Sequence, residues 1–159
     1  MQNMSRWTIV AGMVIAGVQF SAYQSTSIAG EKIEPAVITK IEGSDLKRVT
    51  LTQEAIKRID LKMGAVREML VTAQIKADGE AVGSLTQKVV PYGALIYDEH
   101  GLTWVYKNGT PRTFVRHRVK VDYIEGDLAI LLEGPPLDTK VATVGVAELF
   151  GAEYGLGGH

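Results

Sequence analysis

The sequence predicts a mainly β fold: a small antiparallel β-barrel or β-roll with one short helix, preceded by an N-terminal hydrophobic helix that serves as a signal or anchor. Three observations lead there. Turn signals recur about every 8–12 residues, Asn108-Gly109 and Gly126-Asp127 among them, and they separate short runs rich in β-branched residues. Those runs alternate apolar with polar side chains, the period of a strand with one wet face. Beyond the N-terminal segment, only one stretch carries helix-start and helix-stop chemistry together.

The N-terminal segment opens with Met1–Arg6, a short head with a single positive side chain, and continues as Trp7–Ala22 without a charge. A small, polar stretch from Ser25 to Gly30 then precedes Glu31. This three-part layout is that of a secretory signal, and Ser27 and Ala29 supply small residues for cleavage near Ala29-Gly30. The apolar run is slightly short of the about 17–25 residues that span a bilayer, so cleavage is the first reading and a retained anchor over residues 7–22 the alternative. Either way the expected compartment is the periplasm.

Val37–Glu42 and Leu46–Leu51 read as strands around a Gly43-Ser44 turn. Thr52–Asp60 is the helix. Thr52 is placed to cap it, Glu54 suits the positive pole, Lys57 and Arg58 suit the negative pole, and Ala55, Ile56 and Ile59 share one face. Met63–Val66 and Leu70–Ala77 return to strand, with a turn at Asp78-Gly79. Lys88–Val90 leads into Pro91; Leu95–Tyr97 and Thr103–Tyr106 flank a turn at Asp98–Gly101. Asn108-Gly109 predicts the tight turn of a hairpin, because both residues accept positive φ. Arg112–Val121 follows with Phe114, Val119 and Val121 inward, then Leu128–Leu132 as a buried strand and Lys140–Val146 as the last. Gly151–His159 reads as a glycine-rich, frayed tail.

Composition narrows the function. The apolar share of 46% and charged share of 22% are those of a globular chain with a core to bury. A net charge of -1 gives no basic excess for nucleic acid, and the cluster Arg112, Arg116, His117, Arg118 and Lys120 alternates as a solvated strand face would. With no cysteine there is no disulfide, thiolate metal site or thiol nucleophile. His100, His117 and His159 share no ligand spacing, and Met63 and Met69 read as core filling. No serine sits in a nucleophile elbow, and the acids of Asp98/Glu99 and Glu125/Asp127 occupy turns for turn geometry. The expectation is a non-enzyme with no catalytic residue, cofactor or metal. The exposed-aromatic candidates for partner binding are Tyr92, Tyr97 and Trp104.

Across the second half, Val90, Pro91, Ala94, Gly101, Trp104, Val105, Tyr106, Phe114, Val119, Gly126, Asp127, Val141, Gly145 and Leu149 stand in a recognisable order. That order resembles the membrane-proximal end of periplasmic adaptor subunits (membrane fusion proteins) of RND and HlyD-type efflux systems. Val49–Val66 looks like the strand, short helix and glycine-containing strand at the entry to the adaptor's barrel domain. The resemblance implies residues 31–89 as a barrel-like segment, 90–150 as a membrane-proximal-like β domain and 151–159 as a flexible tail, after the signal or anchor of 1–30. Adaptors carry a helical hairpin and a lipoyl-like domain between these parts, whereas here only Arg67–Val89 intervenes, and Pro135-Pro136-Leu137 replaces the usual Gly-Leu. The implied role is a truncated, non-catalytic adaptor that docks to an inner-membrane transporter, with homo-oligomerisation and membrane association as in that family. The competing role is a free periplasmic module that binds a metal ion or small ligand.

Overall fold

In the computed structural model residues 34–72 and 83–156 are described. The expected signal or anchor segment and the Asp78-Gly79 turn lie outside the described residues. The strands are β1 (Ala36–Lys40), β2 (Lys47–Leu51), β3 (Lys62–Ala65), β4 (Arg67–Thr72), β5 (Ser84–Pro91), β6 (Ile96–Tyr97), β7 (Thr103–Thr110), β8 (Thr113–Glu125), β9 (Leu128–Glu133) and β10 (Lys140–Val144). Helix α1 (Gln53–Arg58) follows β2, a 3-10 turn (Tyr92–Ala94) follows β5, and α2 (Val146–Tyr154) follows β10.

All pairings are antiparallel, in the order β3-β10-β7-β8-β9-β5-β4, with β2 on the free side of β8, β1 beyond it, and β6 on β7. The first and last strands of that path, β3 and β4, are consecutive in the chain and separated only by Val66. Val66 is fully buried; its N–H donates to Thr139 O at 3.0 Å and its carbonyl accepts from Asp138 N at 2.9 Å. The sheet therefore curls until its ends meet, a half-barrel. Strand β5 runs through positions 89 and 90, so the segments on either side share one sheet.

Strand alternation sorts the core onto two faces. Val90, Val105, Val119, Leu131 and Val141 come from β5, β7, β8, β9 and β10 yet form one cluster with Val66, Ala94, Leu95 and Ala129. Side chains from strands four places apart meet only if they line the inside of the curl. Their immediate neighbours Tyr106 and Ala142 point the other way, into a second cluster with Val49, Leu51, Ala55, Phe114, Val146 and Leu149. This outer face is roofed by α1 and α2.

Helix α1 forms as its capping pattern predicts: Thr52 Oγ1 accepts from Ala55 N at 3.1 Å, with Glu54 in the first turn and Lys57 and Arg58 in the last. Three expectations are corrected. The β7–β8 hairpin turns at Pro111-Arg112, not at Asn108-Gly109; Thr110 pairs with Thr113, Asn108 pairs with Phe114, and a register shift falls between them. Proline fixes its own φ for the first corner, and Arg112 takes the positive φ, 62°, of the second. The supposed tail is helical through Tyr154, so the fold has a second helix. Gly145 enters it at φ 81°, where an added Cβ would meet Leu61 Cδ1 at 3.0 Å and Ile59 Cδ1 at 3.1 Å, and Gly155 ends it at φ 73°. Third, Arg116 of the basic strand is buried.

Candidate functional site

Arg116 is buried because β8 is central and its outward residues face α2. Its guanidinium Nε lies 3.0 Å from Glu153 Oε1 and 2.9 Å from Oε2, and Glu153 Oε2 also accepts from the Tyr106 hydroxyl at 2.6 Å. Burial, then the hydrogen bond and charge of Glu153, push the Tyr106 pKa far above its ordinary value, so the phenol remains a donor. The guanidinium also stands 4.7 Å from the Trp104 ring centroid, 5.2 Å from Tyr154 and 5.9 Å from Phe150. Lys47 Nζ donates to the Glu153 carbonyl at 3.0 Å. The set fastens the last turn of α2 to β2, β7 and β8.

Trp104 is thereby assigned a structural neighbour on the helix side. Its indole Nε1 donates to Asp98 Oδ2 at 2.9 Å, while Asp98 Oδ1 accepts from His100 N at 3.0 Å and Leu102 N at 2.9 Å. Desolvation raises the Asp98 pKa, but the hydrogen bonds from Trp104, Leu102 and His100 with the charge of His100 together outweigh it and leave the acid below its ordinary 3.8. A depressed native pKa stabilises the fold above the unfolded-state pKa and loses that contribution as pH falls through the native one. The Trp104 indole N–H is therefore expected to lose its exchange protection as the pH falls through this depressed native pKa, below the ordinary carboxylate range. In Asp98→Asn that protection is absent at every pH, because one amide cannot accept from the indole and both backbone donors. NMR of the indole resonance reads both outcomes.

The three predicted aromatics do not converge. Tyr97 pairs with Thr103 and Trp104 with Ile96, so by alternation Tyr97 faces the inner side and Trp104 the outer. Tyr97 is 51% exposed. Tyr92 is 49% exposed on the 3-10 turn, its N–H bonded to Asp127 O at 2.7 Å, near the β8–β9 turn.

Beside the β6–β7 turn lies an open groove of about 530 Å³, lined by Gly101, Leu102, Thr103, Arg118, Val119, Lys120, Val121 and Glu133; Tyr97 does not line it but pairs with Thr103, which does. The β6–β7 turn forms one wall, and the middle of β8 with the end of β9 forms the other. Irregular pairing on both sides of Val121 opens β8 here. Arg118 and Lys120 give it two cations; Lys120 Nζ lies 3.9 Å from Glu133 Oε1, with both side chains mostly in water. Sequence reading missed this groove because its walls lie far apart in the chain and meet only after the sheet curls.

No family model matches the chain, and no curated protein matches it. The residues behind the adaptor resemblance have a common structural character. Val90, Ala94, Val105, Tyr106, Phe114, Val119, Val141 and Leu149 are buried, and Gly101, Gly126 and Gly145 have positive φ. They are core and turn positions, which specify a fold and leave function to the surface. Among the described residues no group of three His, Cys, Asp or Glu side chains is placed to hold a metal ion, and no helix is long and apolar enough to cross a membrane.

Proposed function

We propose that this chain is a non-catalytic, adaptor-like docking module of a bacterial envelope efflux or secretion system, held in the periplasm against an inner-membrane transporter. The observation that supports the reading is the open groove on the curled sheet, with Arg118 and Lys120 in its wall and exposed Tyr97 paired to Thr103 of its lining. Tyrosine offers a large contact surface with one polar end, and arginine is another residue enriched at protein interfaces. Two cations against one acid favour an acidic periplasmic loop of the transporter as the occupant. The order of core and turn residues and the export-like N-terminal segment supply the envelope context.

The reading is tested by site-specific photo-crosslinking of the full-length tagged protein in its own cell. A photoreactive residue at Tyr97 or Lys120 is expected to capture an inner-membrane permease, whereas one at exposed Val37 on β1 is not. Recovery of no permease from either of these two positions, or equal recovery from Val37, would overturn it.

A further inference from the structure

The inner face of the half-barrel carries a second feature, on residues that do not line the groove. Lys107 on β7 and His117 on β8 share the face of Val105 and Val119, since Val105 pairs with His117 and Lys107 with Val115. They are diagonal neighbours across the strand pair, a separation of about 7–8 Å at the backbone that long side chains bridge. Lys88 on β5 pairs with Leu131 and so faces the same interior as Val90 and Leu131. Its Nζ donates to Gly134 O at 3.3 Å. A Cβ built on Gly134 would lie 3.6 Å from Val119 Cγ1, and Val119 is the next inward residue after His117. Lysine from β5, lysine from β7 and imidazole from β8 thus face the same interior, and both ammonium charges act on the imidazole.

All three residues are half-buried, and among the described residues none of them is ion-paired. Desolvation, then the charges of Lys107 and Lys88, hold the His117 pKa below its ordinary value. Among the described residues no carboxylate acts on it in the opposite sense. Lys88 has one carbonyl partner for three donor hydrogens. Two ammonium groups kept partly out of water without a counter-charge are unfavourable, and an anion between them relieves this.

We propose that the inner face of the half-barrel binds a small oxyanion, a carboxylate or a phosphate, between Lys88, Lys107 and His117. Two ammonium groups supply the charge and His117 supplies a hydrogen bond. Binding is therefore coupled to proton uptake by His117, since a nearby anion favours the imidazolium.

The test follows the His117 ring resonances by NMR while the full chain is titrated with inorganic phosphate and, separately, acetate, against sodium chloride at matched ionic strength. A saturable shift of His117 with an upward move of its titration midpoint is expected. Exposed His100 serves as the internal control. Saturation by phosphate alone identifies a phosphate site, and saturation by acetate as well a general carboxylate site. Lys88→Gln and Lys107→Gln should each weaken binding roughly tenfold, the loss of one charge-assisted hydrogen bond. Each should also raise the His117 midpoint of the free protein, because a like charge has gone. The proposal is overturned if His117 responds no differently from His100, if both variants bind as the parent does, or if the free-protein midpoint already lies above that of an unperturbed histidine. The wild-type titration decides the matter even if a variant folds poorly.

Discussion

Replacing Glu153 with alanine is expected to reduce folding stability by about 3–5 kcal/mol, read as a lower midpoint in urea unfolding with an unchanged slope. The side chain of Glu153 is 1% exposed and that of Arg116 is 6% exposed, so neither charge has water to return to while the fold persists. Deletion of the carboxylate leaves a guanidinium buried among three aromatic rings with no anion, and a Tyr106 hydroxyl with no acceptor. The charge alone is isolated by Glu153→Gln, which keeps an acceptor for Tyr106 and should fall between the parent and Glu153→Ala. The double variant Arg116→Met with Glu153→Leu should recover most of the loss, because a buried pair exchanged for apolar residues of similar volume is often neutral. A loss below about 1 kcal/mol in Glu153→Ala would indicate that the pair behaves as a solvated one.

This ion pair also marks where sequence reading stops. The strand runs around β5, β7, β9 and β10 are legible in the sequence as β-branched and apolar stretches between turns, but which neighbour faces which side, such as Val89 against Val90 or Val105 against Tyr106, is settled only by the sheet. Helix α1 is plain in the sequence, because its cap, first-turn acid and last-turn bases are local. Arg116 and Glu153 are 37 residues apart, and nothing near either announces the other. Helix α2 was hidden by its own composition: Gly145 and Val146 read as the end of the last strand, and Gly151 and Gly155 as a frayed tail. Yet Val146, Leu149, Phe150 and Glu153 are spaced at i, i+3, i+4 and i+7, and they form the face that packs on the sheet. Packing, not propensity, holds that helix. The Asn108-Gly109 error has a different origin, since a strong local signal lost to Pro111 three residues later. The groove and the Lys88–Lys107–His117 cluster draw on strands whose meeting depends on curvature, which no local pattern encodes.

The interior of β8 should respond to Phe114→Ala by losing about 3–5 kcal/mol, the range for removing a buried aromatic ring. Phe114 is 2% exposed and packs in the outer cluster with Val49, Leu51, Ala55 and Leu149. Its position makes the effect regional as well as large. Only three residue pairs join β2 to β8, namely Arg48 with Val115, Val49 with Phe114 and Thr50 with Thr113. The β1–β2 hairpin and α1 therefore hang on the sheet through the strand segment whose side-chain anchor is deleted. Amide exchange should show β1 and β2 losing protection by far more than β5, β7 and β9, whose inner-face cluster of Val90, Val105 and Leu131 is untouched. Phe114→Leu, which leaves a smaller cavity, should give a fraction of the loss with the same regional bias. A uniform drop in protection across all strands would instead mean that the hairpin and the half-barrel unfold as a single cooperative unit. In that case the outer cluster stabilises the curl itself, and the roof of α1 and α2 is part of the barrel's closure.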